Sequence, residues 1–569
     1  MPDQAKTVTL IIDGKSVTVP EGTTVLQACE QAQSPVPFYC YHPGLSIAGN
    51  CRICLVEIEK MPRMQIACNT PAAEGMVVHT ANDKVLKGRQ DVLEFLLVNH
   101  PLDCPVCDQA GECWLQDYYM EYGLYDPKFD EAKVKKTKKA TPVGPNVMLD
   151  MERCILCSRC VRFSDEITKT GEFGIFNRGD HSELGIFPGK EVDHNYSGCV
   201  VDICPVGALT DRDFRFKCRV WYLGAAKSVC PGCSMGCNIE VHYNRERPDR
   251  PHVAGGDRVM RLKPRYNPDV NQWWMCDEGR YAYKRIDHGR IAQVELRGVD
   301  GDRGGTVLAA ERSERSESRS WDEEVPRRNG DAAHQPTWDE ALDVLAQRFQ
   351  TLRDAKQLDK IGVILSTYLT NEDLYVAKRL FNALGIRHVA VQAPKPGKGD
   401  ELLLKPDKSP NTRGAQALGL SLEGALLFER AARKELSVLW LFGHDAAALY
   451  GQAAEQAAAN LELFVFQGSN ANMSSKLAHV VLPSAVYAEK DGTFTNIQGR
   501  VQRIFQAFDP MGEAKPDWQI LLELGRRLGA TLDFADANAV FADLAANEPA
   551  FNGLSYEILG DQGALLKGV

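Results

Sequence analysis

One short stretch of the sequence places His100, Cys104, Cys107 and Cys113 directly after a segment with helical spacing. Imidazole and thiolate groups are ligands of zinc and of iron–sulfur clusters. One further cysteine group precedes this stretch and two follow it. The chain has 18 cysteines, and the part after Cys276 contains none. Cys-x-x-Cys groups in a long chain without secretory features favour metal over disulfides, so we expect a row of redox metal clusters.

The first group is Cys40, Cys51, Cys54 and Cys68. Four thiolates can hold a [2Fe–2S] cluster, and the glycines and prolines between them allow the backbone to wrap closely around it. The ten-residue gap after Cys40 differs from the four-residue gap of plant ferredoxins. Spacing alone therefore leaves a zinc site open.

The second group is unusual because a histidine accompanies three cysteines. A neutral imidazole in place of an anionic thiolate should raise the reduction potential of a cluster. A histidine at the end of a helix is often only a cap, and zinc bound by three cysteines and one histidine is the alternative. The cysteines immediately after His100 favour ligation.

The third and fourth groups have the spacing of ligands to a [4Fe–4S] cluster, or cubane. Cys154, Cys157 and Cys160 follow the C-x2-C-x2-C pattern of bacterial [4Fe–4S] ferredoxins, and the distant Cys204-Pro205 completes it. Cys230, Cys233, Cys237 and the remote Cys276 form a looser pattern that suits a [4Fe–4S] cluster or zinc. Cys29, Cys199 and Cys218 are interpreted as structural residues. Cys29 is expected to pack in the hydrophobic core.

Local patterns predict the elements around the first two groups. Residues 7–19 predict a β-hairpin about Asp13-Gly14, and Thr23-Thr24 predict the start of a helix that contains Cys29. This arrangement resembles the β-grasp fold of ferredoxins. Residues 82–99 predict a helix that ends before His100-Pro101. The lysines that follow are interpreted as a solvated connector, with a docking patch as the alternative: Lys133, Lys135, Lys136, Lys138 and Lys139.

The C-terminal part predicts a parallel α/β sheet. Helix-like segments at 372–384 and 451–461 alternate with apolar runs at 361–365, 388–392, 437–442 and 463–466. Turns at 443–445 and 468–470 would lie at the carboxyl ends of strands, where parallel sheets bind ligands. Their glycine and polar residues would either bind a ligand or only form the turn between strand and helix. Residues 300–335 are charged and nearly free of apolar side chains, which predicts a linker.

Bulk properties exclude several classes of function. Net charge is −10, which gives no reason to expect nucleic-acid binding, and no run of apolar residues is long enough to span a membrane. The N-terminus shows no signal or transit pattern, so we expect a cytoplasmic location. The sequence has neither a dinucleotide-binding nor a phosphate-binding glycine motif, so a nicotinamide or flavin would belong to another chain.

The ordered motifs resemble the large iron–sulfur subunit of bacterial respiratory complex I, the NADH:quinone oxidoreductase. The resemblance covers most of residues 5–290 and includes Asn50-Cys-Arg-Ile-Cys54, Asn99-His-Pro-Leu-Asp-Cys-Pro-Val-Cys107 and Arg153-Cys-Ile-Leu-Cys-Ser-Arg-Cys160. It implies a [2Fe–2S] cluster at the first group and [4Fe–4S] clusters at the second and third. Only some bacterial members carry the further cubane, whose four ligands are all present here.

The C-terminal part resembles molybdopterin oxidoreductases through residues 479–484 and 489–500. It contains no cysteine that could bind molybdenum, so we expect a shortened, inactive domain without that cofactor. The predicted architecture is a β-grasp [2Fe–2S] domain (1–80), three cubane domains (81–145, 146–217 and 218–295), a linker (296–335) and a molybdopterin-oxidoreductase-like α/β domain (336–569).

The resemblance implies an electron relay without an active site of its own. Electrons would arrive from a flavoprotein subunit that binds NADH and FMN, and leave to a ferredoxin-like subunit near quinone. The chain would lie on the cytoplasmic face of the inner membrane and contact it only through partner subunits. Three alternatives stay open: a relay subunit of an NAD-linked hydrogenase or formate dehydrogenase, a scaffold protein whose cysteine groups bind structural zinc, and a molybdenum-dependent dehydrogenase.

Overall fold

The computed structural model describes residues 6–126, 129–245, 257–298 and 335–568. The chain forms two compact units. The first comprises Met1–Ala225 and Ile239–Tyr283, and the second comprises Ala226–Asn238 and Lys284–Val569. Most of the predicted linker, from 299 to 334, lies outside the described residues.

The first unit begins with the predicted hairpin. Strands β1 (Thr7–Ile12) and β2 (Lys15–Pro20) pair antiparallel, and Asp13 and Gly14 between them both have positive φ, as a type I′ turn requires. Helix α1 (Val25–Gln31) starts at a capping box in which Thr24 and Gln27 bond reciprocally. The hairpin and the helix are confirmed.

A five-stranded sheet completes this part of the unit. Strands β3 (Leu55–Ile58), β4 (Gln65–Ile66) and β5 (Val77–His79) join the hairpin in the order β2-β1-β5-β3-β4. Strand β5 runs parallel to β1, and α1 packs its buried face, including Cys29, into the core of the sheet. This is the arrangement that the ferredoxin-like hairpin and helix predict.

Helices and short strands alternate along the rest of the first unit. Helix α2 begins after the Asn82 cap, whose side chain accepts a hydrogen bond from Val85 N, and it ends before His100 as predicted. The elements are α2 (Asp83–Val98), α3 (Trp114–Tyr122), β6 (Ala140–Pro142), β7 (Val147–Asp150), α4 (Arg159–Glu166), β8 (Phe173–Phe176), β9 (Glu183–Ile186), α5 (Cys199–Asp202) and β10 (Leu209–Asp211). Strands β6, β7 and β10 form one small sheet, and β8 pairs with β9.

The chain crosses between the units twice near residue 230. Strand β11 (Leu223–Val229) begins in the first unit, and β12 (Asn238–Asn244) begins in the second and continues into the first, where it pairs antiparallel with β13 (Val259–Pro264). Helix α6 (Asp277–Arg280) follows Cys276 in the first unit.

The second unit is built around the predicted parallel sheet. Its strands are β14 (Glu295–Leu296), β15 (Ile361–Ser366), β16 (His388–Gln392), β17 (Val438–Phe442), β18 (Leu463–Gly468) and β19 (Val480–Pro483). They lie in the order β14-β19-β18-β17-β15-β16, and only the β14–β19 pair is antiparallel. Strands β15, β17 and β18 are buried on both faces, as expected for a parallel sheet covered by helices.

Helices cover this sheet, and a small antiparallel sheet adjoins them. The helices are α7 (Trp338–Asp354), α8 (Asn371–Ala383), α9 (Thr412–Ala417), α10 (Gly424–Ala432), α11 (Ala446–Tyr450), α12 (Gln452–Asn460), α13 (Met473–Leu477), α14 (Asp517–Arg527), α15 (Ala537–Asn547) and α16 (Tyr556–Leu559). Strands β20 (Gly492–Thr495), β21 (Arg500–Ile504) and β22 (Ala564–Leu565) form the small sheet. Within the described ranges, no helix is both long and apolar enough to cross a bilayer.

Candidate iron–sulfur sites

The first cysteine group forms one connected set of sulfur atoms in the N-terminal core. Hydrogen bonds join the side chain of Cys40 to those of Cys51 and Cys68, and Cys68 is joined in turn to Cys54. Cys40 N also donates to Cys51 Sγ at 3.4 Å. Cys40, Cys54 and Cys68 are buried. The fold therefore brings together the four predicted ligands, of which Cys51 and Cys54 share one loop and Cys68 lies in a short 3-10 turn.

Protonation in this set is shared between neighbours. Hydrogen bonds donated by the Cys51 and Cys68 side chains lower the pKa of Cys40 to about 2, and the hydrogen bond from Cys68 also lowers the pKa of Cys54. The pKa values of Cys51 and Cys68 are raised by the same bonds. Bound iron would displace the protons that remain on Cys51 and Cys68. It would also supply the positive charge that holds four adjacent thiolates together.

The second group lies around the end of α2. Burial lowers the pKa of His100 to about 4, so its imidazole is neutral at physiological pH and can act as a ligand. Cys104 starts a short 3-10 turn, and Cys113 occupies the N-cap position of α3. A Cβ atom added to Gly207 would lie 2.3 Å from Cys107 Sγ, which only glycine permits. The loop that follows Cys204 thus packs directly against Cys107, a predicted ligand of the second group.

Exchanging the histidine for a thiolate should move the potential of this cluster. In His100→Cys the ligand set gains a negative charge, which disfavours the additional electron of the reduced state. We expect a lower midpoint potential for the second cluster, measured by EPR during a redox titration. The signals of the other clusters serve as internal controls, and an unchanged potential with a full complement of iron would show that His100 is not a ligand.

The third group lines a small cavity of about 20 Å³. All four predicted ligands line it, together with apolar side chains that include Ile155, Ile175 and Leu184. Burial raises the pKa of each of the four thiols, that of Cys204 to about 12. An apolar cavity lined by four sulfur atoms fits a cluster that is bound by thiolates and shielded from water.

The ligand loop of the third group has an unusual backbone. Leu156 and Ser158 both adopt left-handed conformations, with φ of 55° and 59°. Non-glycine residues adopt this region rarely, and alternation of right- and left-handed residues turns successive N–H groups toward one point. Arg52, between Cys51 and Cys54, has the same conformation with φ of 62°. In the loop of the third group, Leu156 N donates to Cys154 Sγ at 3.4 Å.

All four cysteines of the fourth group are buried. Cys230, Cys233 and Cys237 belong to the second unit. Cys276 belongs to the first unit, and its Sγ accepts a hydrogen bond from Gly279 N at 3.4 Å. Polar groups of the second unit hold the first three. Asn496 Nδ2 donates to Met235 O at 3.1 Å, and Gln502 Nε2 donates to Gly236 O at 2.9 Å.

The lysine-rich segment beside the second group is only partly solvated. Lys133 departs from the expectation of a solvated connector, because its Nζ donates to the carbonyls of Leu97 and Val98 at 2.9 Å. Lys139 pairs with Asp103 at 2.7 Å but remains exposed. Free carbonyls at a helix C-terminus attract cations, which explains why Lys133 covers the end of α2 beside His100.

The turns at the carboxyl ends of the parallel strands are engaged in internal bonds. His444 Nε2 lies 3.1 Å from Ser366 Oγ and also bonds to Gln392 O. Asp445 caps α11, and Asn470 Nδ2 donates to the carbonyls of Arg285 and His288 at 2.8 Å. These contacts favour the turn interpretation over ligand binding.

The cysteines of the first and third groups are buried or half-buried and fit iron–sulfur clusters in donor type, whereas Cys104 of the second group is exposed. The eleven cysteines of the first three groups are free thiols in the described part of the chain. Throughout residues 6–126, 129–245, 257–298 and 335–568, no three His, Cys, Asp or Glu side chains are arranged to hold a single metal ion. The sequence analysis did not single out Gly207, although it lies two residues after the Cys204-Pro205 motif.

Comparison with known families covers most of the chain. The matching family models describe a 2Fe-2S iron-sulfur cluster binding domain (5–83), the NADH-ubiquinone oxidoreductase-G iron-sulfur binding region (89–128) and the ferredoxin-like domain of NADH-quinone oxidoreductase subunit 3 (144–210). Models of the molybdopterin oxidoreductase Fe4S4 domain and of molybdopterin oxidoreductase match residues 224–288 and residues 326–408 and 408–527, respectively.

Relatives agree with these models. The chain is 36% identical to the NADH-quinone oxidoreductase G subunit of Rickettsia bellii, over 67% of this chain and 49% of that protein. It belongs to the family of large iron–sulfur subunits of NADH-quinone oxidoreductase. It is also 29% identical to the mitochondrial 78 kDa subunit of NADH-ubiquinone oxidoreductase of Candida albicans, over 94% of this chain and 84% of that protein. The predicted family and fold class are confirmed.

A solved structure shares part of the sequence of this large iron–sulfur subunit. One chain in the crystal structure of NAD+-reducing [NiFe]-hydrogenase in the H2-reduced state aligns with 37% of this chain and 91% of its own length, at 31% identity and a TM-score of 0.35. The chain spans about half the length of the Rickettsia proteins that it matches.

Proposed function

We propose that this protein is an electron-relay subunit of NADH:quinone oxidoreductase. It would bind one [2Fe–2S] cluster at Cys40, Cys51, Cys54 and Cys68 and a [4Fe–4S] cluster at each of the other three ligand sets. Each cluster, when bound, accepts and releases one electron. The observation that carries the proposal is that the first and third sets each bring four cysteine side chains together within the first unit. The loop from Cys204 to Gly207 also links the third set to Cys107 of the second.

The residues of the chain hold, shield and orient these clusters. Buried thiols and the neutral imidazole of His100 supply ligands, and apolar side chains such as Ile175 and Leu184 keep water from the third set. No side chain needs to abstract a proton or form a covalent intermediate, because a relay transfers single electrons. The second unit supports the loop from Cys230 to Cys237, and we assign no molybdenum to it.

The partners follow from this role. A flavoprotein subunit that binds NADH and FMN would donate electrons, and a ferredoxin-like subunit close to quinone would accept them. The chain would sit in the peripheral arm on the cytoplasmic face of the inner membrane. Membrane contact would come only through partner subunits.

Reduction by NADH in the assembled complex tests this proposal. The complex is purified anaerobically through a tag on this chain, and low-temperature EPR is recorded before and after NADH addition. We expect cluster signals to appear with NADH and to match those produced by dithionite. Signals that appear only with hydrogen or formate would assign the chain to a hydrogenase or formate dehydrogenase, and signals with dithionite alone would contradict an NADH-fed relay.

A further inference from the structure

Arg159 lies where the loops of three ligand sets meet. It opens α4, between Cys157 and Cys160, and is 2% exposed. Its Nη1 donates to Ile203 O at 2.9 Å, beside Cys204, and its Nη2 donates to Tyr41 O at 2.5 Å, beside Cys40. Its guanidinium also lies 4.6 Å from the ring centre of Trp114, which follows Cys113.

Arg162 reaches two of the same loops from the next turn of α4. Its Nη2 donates to Cys40 O at 2.6 Å and to Cys157 O at 3.3 Å. A further hydrogen bond runs from its Nη1 to Ser46 O. Both arginines therefore connect the loop of the first ligand set to that of the third.

The two charges lack conventional counter-ions. Every hydrogen-bond acceptor named above is a neutral carbonyl, and Arg159 Nε is buried without a partner in the described part of the chain. In the same ranges, neither arginine forms an ion pair with a carboxylate. A guanidinium does not lose its proton in a protein, so burying one without an anion is costly. Something negative must lie close by.

We propose that Arg159, assisted by Arg162, is the buried counter-charge of the clusters in the first and third ligand sets and raises both reduction potentials. This inference rests on the proposed function. Thiolate ligands make both clusters anionic, and reduction adds one electron to a cluster without forming or breaking a bond at the arginine. A fixed cation nearby stabilises the added charge, and it does so strongly because water is excluded.

Redox titration of Arg159 variants in the purified complex tests this positioning role. Arg159→Met removes the charge at similar length, and Arg159→Lys keeps it but loses the forked donor geometry. Arg52→Met is the matched control, because Arg52 adjoins Cys51 but is solvent-exposed. The two signals are recorded by EPR. The third cluster is assigned as the [4Fe–4S] signal that Cys204→Ala removes and whose potential His100→Cys leaves unchanged.

We expect Arg159→Met to lower both midpoint potentials. The reduction equilibrium of each cluster should change by at least about tenfold, which corresponds to about 59 mV for one electron. Arg159→Lys should give a smaller shift, and Arg52→Met a smaller shift still, confined to the first cluster. A merely structural role would change signal intensity or stability and leave the potentials where they are.

Two results would overturn the inference and leave the relay intact. One is an Arg159→Met complex with normal signals and unchanged potentials. If that variant does not retain its clusters, Arg162→Met, at a partly exposed position, must lower both potentials, and unchanged potentials there would be equally decisive. By contrast, a wild-type complex without iron–sulfur signals would refute the proposed function itself.

Discussion

Replacing Cys204 with alanine is expected to remove iron from two sites rather than one. The thiol lines the third cavity, so the cubane bound there loses a ligand. The residues that follow it support the second set: Pro205 O accepts a hydrogen bond from Trp114 N at 3.0 Å, and Gly207 packs against Cys107 Sγ. When the third cluster is lost, the loop after Cys204 is no longer fixed in place and no longer supports the second set. Iron should therefore fall by about eight atoms per chain, because each of the two cubanes holds four.

Cys199→Ala provides the matched control. Cys199 is fully buried only five positions away, and its Sγ donates to Met275 O at 3.1 Å, but it belongs to no ligand set. We expect this variant to keep its iron and its EPR signals. Iron and sulfide analysis of both variants decides the matter. An iron content in Cys204→Ala equal to that of the wild type would contradict the assignment of Cys204 as a ligand. Loss of the third cluster without any change in the second would contradict the proposal that one loop supports both.

Replacing Lys490 with methionine is expected to destabilise the second unit severely. Lys490 Nζ lies 2.7 Å from Asp373 Oδ2 and 2.8 Å from Asp517 Oδ2, and all three side chains are buried. These contacts join α8, α14 and the chain segment before β20. Removing the cation leaves two buried carboxylates without a counter-charge, and breaking such a group costs about 3–5 kcal/mol.

Chemical denaturation of the purified protein measures this cost, with fluorescence of the buried Trp440 among the probes. Arg526→Met is the control, because Arg526 pairs with Asp533 on the surface, where ion pairs contribute little. Its midpoint should stay close to that of the wild type. A Lys490→Met variant as stable as Arg526→Met would show that the buried charges are satisfied in some other way.

Local signals made much of the fold predictable from the sequence. Asp13-Gly14 identified the hairpin because few residues tolerate the backbone of its turn, and Thr24 identified the start of α1 because its hydroxyl caps free N–H groups. Continuous apolar runs identified the strands of the parallel sheet. Each of these features depends on residues close together in the chain.

Long-range contacts explain what the sequence did not disclose. Gly207 is constrained by the sulfur of Cys107, and Arg159 bonds to carbonyls at positions 41 and 203. Nothing in the spacing of the motifs indicates these partners. The prediction for Lys133 is wrong for the same reason, since a lysine-rich segment is usually solvated and only the fold places this side chain against the end of α2.

The metal content of anaerobically purified protein tests the central claim most directly. One [2Fe–2S] and three [4Fe–4S] clusters predict about fourteen irons per chain, with matching sulfide and without zinc or molybdenum. About ten irons would mean that one cubane site is empty, with the set from Cys230 to Cys276 examined first. Zinc in place of iron would contradict the electron-relay function and identify the cysteine groups as structural zinc sites.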